Sequence, residues 1–370
     1  MTPFHAMIMA LAAFVQPFVV GLALVPVVKA LAHKLGLIDQ PNLERKQHGA
    51  PIPRSGGIAI FAAFWGMLWL DYFAARSFLP SAQLPEAVNA LAANLPLRSA
   101  QLMGLFSGSA IIFTLGLADD RFNLPPLVRL FVQVAACVPL ILTGTVLKVF
   151  LPPLLAIPIT VVWVVLLTNS FNFLDNMNGL SSGIAMIICA VLGIISLLAR
   201  EWYMVAIFAM FAGAIMAFWF FNFPRASVFL GDGGSTHLGF LLAALSILST
   251  YYKEGVPTRL PILIPLIAFG VPLFDTLSVL WIRFRNGKPL MVGDTNHFSH
   301  RLVALGMTRT EAVLFIYVST LVVGLAAIPL RQLDVSHGIV LAIALCLIFL
   351  LLHWLERGSY RRNVPPQPPV

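Results

Sequence analysis

The sequence predicts an all-α fold, a polytopic membrane helical bundle, and three observations predict it. Of 370 residues, 59% are hydrophobic and only 10% are charged, whereas soluble globular domains carry about 25% charged residues. The mean hydropathy is +0.91. The apolar residues also fall in blocks near the length, about 20 residues, that a helix needs to cross the hydrocarbon core of a bilayer. An ordinary cytoplasmic domain is excluded. So is a disordered chain, which needs low hydrophobicity and high charge.

Eleven stretches meet that length, taken in order. The first, residues 7–32, lacks a positive leader and runs on to Lys29 without a cleavage site, so it reads as a span and not as a removed signal. Residues 58–75 and 101–118 follow. Residues 127–144 and 150–168 are separated only by Gly144 to Val149, and Pro152, Pro153 and Pro158 predict an irregular start to the fifth span. The series continues with 180–199, 202–221, 235–252, 260–282, 311–330 and 338–355. Residues 1–355 are thus expected to form a single membrane-embedded domain, and 356–370 a basic, Pro-rich cytoplasmic tail.

Charge sets the expected orientation. The net charge is +8, and in a membrane chain such an excess reflects basic residues retained in the cytoplasm; it does not call for nucleic acid. Of 23 Lys and Arg residues, 16 fall on the side that holds segments 33–57, 119–126, 169–179, 222–234, 283–310 and 356–370 once Lys29 and Arg129 at the adjoining helix ends are included. That side is expected in the cytoplasm, with the N-terminus outside and the C-terminus inside. Cys137, Cys189 and Cys346 all sit in apolar stretches without paired spacing, so neither a disulfide framework nor a zinc motif follows.

The few acids carry the functional signal. Asp119, Asp120, Asp175, Asp232 and Asp294 all fall on the same side, and all but Asp294 are flanked by apolar sequence. Carboxylates at a membrane edge are costly and point to function by default. Asp119 and Asp120 are adjacent, and such a pair repels unless a cation or Arg neutralises it; hard oxygen ligands suit Mg²⁺. Arg129, nine residues on, offers a guanidinium to a phosphate. Taken alone, this segment reads equally as a helix-end acid pair with a snorkelling arginine.

Asn169, Asn172 and Asp175 recur every three residues, so they share a face at a helix end and make an oxygen-rich wall for metal or sugar; an interhelical hydrogen-bond network is the plainer alternative. Gly231, Asp232, Gly233 and Gly234 form a glycine loop opening the eighth span. There backbone amides and the helix N-terminus can meet a phosphate. His297 and His300, with Arg301, share a face in the most basic loop. Zinc lacks further soft ligands there, and phosphate contact fits better. Together these segments describe a site for a metal–diphosphate ligand and phosphoryl-transfer chemistry.

These motifs, in this order over residues 33 to 306, resemble the polyprenyl-phosphate N-acetylhexosamine-1-phosphate transferases. Lys46 to Gly57 is similar to the family's first cytoplasmic loop with its closing Gly-Gly. The eleven-span layout and the Asp-Asp-Arg-Phe context look closest to the branch that starts O-antigen, enterobacterial common antigen or teichoic acid linkage units. The resemblance implies transfer of N-acetylglucosamine-1-phosphate from UDP-N-acetylglucosamine, or another UDP-N-acetylhexosamine, to undecaprenyl phosphate with release of UMP. It also implies Mg²⁺, with Mn²⁺ as an alternative, a place in the bacterial cytoplasmic membrane, and room for a homodimer.

The resemblance also implies roles. Asp232 and Asn172 are the expected metal ligands. Asp119, Asp120, Asp175, His297 and His300 are the expected catalytic residues, the acid pair engaging the lipid phosphate and the histidines the diphosphate. Lys46, Arg54, Arg129, Asn169, Asn178, Gly231, Gly233 and Arg301 are expected to bind substrate. The chain departs from the pattern at Asn178, where bacterial relatives often carry Asp, and at Ser299, where His is common. A rival class is a secondary transporter, for which Asp275 is the plausible midplane acid; a non-catalytic lipid-binding scaffold is the third reading.

Overall fold

A computed structural model describes residues 3–39, 51–78, 98–147, 152–249, 251, 258–289 and 296–362. Contacts group the chain into two compact units, Met1–Thr250 and Tyr251–Val370. In the first, α1 (Pro3–Leu35) leads into a two-stranded antiparallel ribbon, β1 (Ile38–Asp39) and β2 (Ile52–Pro53). There follow α2 (Gly56–Phe78), α3 (Ser99–Phe122), α4 (Pro126–Leu142), α5 (Pro153–Leu174), α6 (Leu180–Leu198), α7 (Trp202–Asn222) and α8 (Gly231–Leu248). The second holds α9 (Ile264–Ala268), α10 (Gly270–Arg285), α11 (Phe298–Ala304), α12 (Arg309–Leu325) and α13 (Val335–Arg362).

Among the described residues, eight helices are long and apolar enough to cross a membrane. A ninth span results if Leu260–Ala268 and Gly270–Arg285, bent by 66°, are counted as one. All eleven expected stretches fall on helices or on this bent pair, but two fall short of the span criteria. Helix α4 has 17 residues, less than a bilayer crossing asks for. Helix α8 spends its first two turns on Gly231 to His237, which are polar or lack a side chain.

Several boundaries also move. Pro153 begins α5, where the missing N–H of proline costs nothing. The helix then runs on through Asn172 to Leu174, so the Asn-rich motif is helical up to its last acid. The glycine loop is itself the first turn of α8, and α8 ends at Leu248, short of the expected 252. Helix α13 continues to Arg362, so the start of the expected tail is helical; residues 363–370 lie outside the described residues.

Helix α8 is the axis of the first unit. It is buried from Gly233 to Ser246, with α3, α5 and α2 packed against it, α4 on α3, and α1 along α7. A polar chain crosses this core: Trp65 Nε1 donates to Ser109 Oγ at 3.1 Å, and that hydroxyl lies 2.8 Å from His237 Nδ1. A neutral imidazole fits here, because a charged one among Phe61, Phe113 and Phe211 would lie uncompensated in an apolar surround. In the second unit, Thr308 and Glu311 form a reciprocal capping box that starts α12. Exposed Ile343, Leu347 and Leu350 on α13 have the apolar character of a lipid-facing surface.

Candidate active site

The site in the first unit is built on close backbone contact. Phe229 N donates to Pro53 O at 2.7 Å, and Gly56 N and Gly57 N donate to Phe229 O and Leu230 O, each at 2.9 Å. The segment after β2 therefore runs alongside the chain entering α8. A Cβ on Gly57 would lie 2.4 Å from Gly234 Cα, and one on Gly116 would lie 2.4 Å from Gly233 Cα. Three segments distant in sequence meet at main-chain distance because no side chains hold them apart. Gly231 adds a conformational reason: its φ is +77°, and a Cβ there would lie 2.7 Å from Asp120 Oδ2.

This contact brings the acids together. Asp120 Oδ2 accepts the backbone N–H of Gly233 at 3.2 Å. Its other oxygen, Oδ1, is buried with no hydrogen-bond partner among the described residues. Arg54 Nη1 stands 3.6 Å from that oxygen and is its nearest cation, while Arg54 Nη2 binds Asp39. Asn172, on the last turn of α5, donates from Nδ2 to Asp232 Oδ1 at 3.0 Å and to Ser235 Oγ at 3.1 Å. Burial and the charges of Asp232 and Asp120 push the carboxyl of Asp175 up to about 8, with Arg54 opposing. Asp119, Asp120, Asp175 and Asp232 thus form one cluster, with the Asn172 amide and the Arg54 guanidinium at its edge.

The adjacent acids part company. Successive helical residues point about 100° apart, so Asp119 and Asp120 take different partners, although Asp119 also hydrogen-bonds with Asp232. Asp119 accepts from Arg129 Nη1 and from Leu124 N, each at 2.7 Å. Both of its oxygens hold the turn between α3 and α4, and Arg129 is engaged there. Asn169 donates to Gln133 Oε1 at 2.7 Å and to Val165 O at 2.8 Å, which ties α5 to α4. Asn178 donates to Pro224 O at 3.2 Å. Lys46 and Asp294 lie outside the described residues.

His297, His300 and Arg301 belong to the second unit. His297 Nδ1 lies 2.9 Å from Asp275 Oδ2, and Arg301 Nη2 donates to Ser278 Oγ at 2.8 Å. The His297 and His300 rings are 6.4 Å apart between centroids.

Sequence reasoning missed three residues here. Asp39 carries a partner of Arg54, and its signal was an acid at the end of the first helix's basic flank. Gln133 was one amide in an apolar helix. Asn222, buried, donates to Val228 O at 2.8 Å and accepts from Gly179 N, and its signal was an Asn ending a wholly apolar run. Asp275 was weighed as a transporter acid or as a partner for a neighbouring helix, and the second holds: both its oxygens are taken up by the His297 ring and the Phe298 backbone.

Among the described residues, no group of three or more His, Cys, Asp and Glu side chains is arranged to hold a metal ion. Mg²⁺ does not ask for one. It is commonly held by one or two carboxylates, the rest of its shell coming from water and substrate phosphates. Asp120 with its unpartnered buried oxygen, Asp232, and the amide of Asn172 supply hard oxygen donors of that kind.

Comparison with known proteins agrees with this chemistry. The profile of glycosyl transferase family 4 matches residues 102–250, which take in the acid pair, the Asn-rich helix end and the glycine turn. The chain is 29% identical over 359 residues to a Bacillus subtilis protein described as a probable undecaprenyl-phosphate N-acetylglucosaminyl 1-phosphate transferase, covering 95% of this chain and 91% of that one. It is 30% identical over 333 residues to the decaprenyl-phosphate N-acetylglucosaminephosphotransferase of Mycobacterium leprae, covering 83% and 78%. It is also 25% identical to the undecaprenyl-phosphate alpha-N-acetylglucosaminyl 1-phosphate transferase of Escherichia coli K12, covering 89% and 86%. With relatives matched over 78% and 91% of their length and the profile lying across the acid cluster, the chain is a transferase and belongs to glycosyl transferase family 4.

Proposed function

We propose that this protein transfers N-acetylglucosamine-1-phosphate from UDP-N-acetylglucosamine to undecaprenyl phosphate, releasing UMP and starting a lipid-linked glycan of the bacterial envelope. The observation that carries the proposal is the gathering of Asp120, Asn172 and Asp232 around the glycine turn, with Asp120 Oδ1 buried and lacking a hydrogen-bond partner. A buried carboxylate oxygen left this way costs stability and is repaid when a substrate or cation arrives. The names of the relatives supply the donor sugar and the acceptor lipid. The excess of Lys and Arg supports a cytoplasmic site, where UDP-sugars are found.

Asp232 and Asn172 would hold Mg²⁺ (Mn²⁺ is the alternative), Asn172 turning its amide so that Oδ1 replaces Nδ2. Bound there, the ion neutralises the diphosphate and eases departure of UMP. Asp120 takes the proton of the acceptor phosphate, its buried Oδ1 having no hydrogen-bond partner among the described residues. The N-terminal amides of α8 face the anion and favour it. Arg54 draws Asp120 into place and offers positive charge beside it. The lipid phosphate attacks the β-phosphorus directly.

The test is incubation of purified protein with undecaprenyl phosphate, Mg²⁺ and a panel of UDP-N-acetylhexosamines, followed by mass spectrometry of the lipid. The expected product is undecaprenyl diphosphate carrying one N-acetylglucosamine, with equimolar UMP and none in EDTA. A different sugar on the lipid would replace the donor in this proposal, and no lipid product from any donor would overturn it.

A further inference from the structure

In the second unit, helix α10 grips the basic motif at two points. Asp275 is fully buried, and its two oxygens do different work. Oδ1 accepts the backbone N–H of Phe298 at 2.6 Å, and Oδ2 lies 2.9 Å from His297 Nδ1. His297 is the N-cap position of α11 and makes no side-chain cap bond of its own, so the carboxylate of Asp275 meets the orphan amide at the start of that helix. Three residues along α10, Ser278 accepts from Arg301 Nη2 at 2.8 Å while donating to Asp275 O at 2.9 Å. Asp275 and Ser278 lie on one face of α10, as His297 and Arg301 do at the start of α11, so the two pairs form successive rungs. Phe274 packs edge-on against Phe298 between them, at 5.6 Å.

This geometry constrains the imidazole. A carboxylate at Nδ1 requires that nitrogen to carry the hydrogen. A neutral ring then has its lone pair at Nε2, and a charged ring has a second N–H there. A buried carboxylate is an expensive way to cap a seven-residue helix, which a serine at position 297 would do as well. Fixing a ring nitrogen is what a carboxylate does and a hydroxyl does not.

We propose that Asp275 is a positioning residue of the transferase: it sets the tautomer and orientation of His297, with Ser278 doing the like for Arg301, so that the basic motif meets an anionic substrate already arranged. The proposal rests on the transferase reading above. Asp275 touches no reacting atom in it and acts only through His297.

The experiment is a double-mutant cycle in the full-length protein, with UMP release measured at saturating and limiting UDP-N-acetylglucosamine. Asp275→Asn keeps the acceptor for Phe298 N but presents an amide N–H to Nδ1 and so favours the other tautomer. Turnover is expected to fall about 10- to 100-fold, the range for lost orienting partners, with KM changed less than threefold and the melting temperature nearly constant. Asp275→Glu should recover part of the loss. His297→Gln should lose more, and the double variant should be no worse than His297→Gln alone, because residues acting as one unit are not additive. Additive losses, or an Asp275→Asn turnover within twofold of wild type, would overturn the proposal. If Asp275→Asn does not fold, the cycle is run with Asp275→Glu, and additivity of its loss with that of His297→Gln is then the result that overturns the proposal. An inactive wild-type protein would instead reject the substrate assignment, so the two failures are distinguishable.

Discussion

Asp120 and Gly233 are joined by a backbone N–H to carboxylate bond of 3.2 Å that crosses from α3 to the first turn of α8. The acid is fixed by one oxygen and leaves the other buried without a hydrogen bond among the described residues. Changing Asp120 or Asp232 should therefore cost chemistry more than folding. Asp232→Asn and Asp120→Asn are each expected to lower turnover at least 10²- to 10³-fold, the scale for losing one transition-state stabiliser. Circular dichroism and melting in detergent should stay close to wild type. UMP release near the wild-type rate in Asp232→Asn would remove this residue from the metal assignment.

Gly116→Ala is expected to do the reverse. The new methyl would sit 2.4 Å from Gly233 Cα and 2.5 Å from Asp232 O, where backbone, not a flexible side chain, must give way. Overpacking of this kind costs about 1–3 kcal/mol, so the melting temperature should drop by several degrees and activity should fall with it. Gly66→Ala, where a Cβ meets nothing within 4 Å, is the control and should leave both unchanged.

The Asn169–Gln133 amide pair separates binding from architecture. Asn169→Leu alone strands the buried Gln133, which is 4% exposed, at a cost of about 1–3 kcal/mol. Replacing both by Leu should restore most of the melting temperature. If Asn169 also binds substrate, the stable double variant will still show a raised KM for the UDP-sugar; recovery of KM together with stability assigns the pair to helix packing alone.

Asp175 gives a pH signature. Its carboxyl is pushed up to about 8 in the folded protein by burial and by the charges of Asp232 and Asp120, from about 3.9 unfolded. The folded state therefore holds a proton that the unfolded state has released between these values. Stability from this group is full below about pH 4 and is lost as pH rises toward 8. Melting temperature measured in EDTA should decline over that window, and Asp175→Asn should flatten the decline. Mg²⁺ should flatten it too, by drawing protons off the cluster as it binds.

Much of this was legible in the sequence, and the limits have physical causes. Long apolar runs mark helices one by one, so the positions of eleven helical stretches could be read from local composition. Whether a helix such as α8 meets the measure of a span depends on the polar turn it carries, and that turn was there for function. The grouping of Asp120, Asn172 and Asp232 was inferable because costly groups in apolar sequence need a shared reason. That Asp119 also takes Arg129 and Leu124 N as partners was not inferable, since a doublet of acids says nothing of which side each helix face will present. Asp39 and Gln133 were missed for one reason: each earns its place through a partner more than ten residues away, and a single sequence shows residues without their partners.

The seam between Pro53–Gly57 and Phe229–Leu230 is written in amides and carbonyls. Apart from its glycines and Arg54, which pairs with Asp39 and Asp120, its side chains are not what joins the two segments. A joint made of main-chain atoms can thus outlast changes in the side chains around it, while the acid it supports keeps its post.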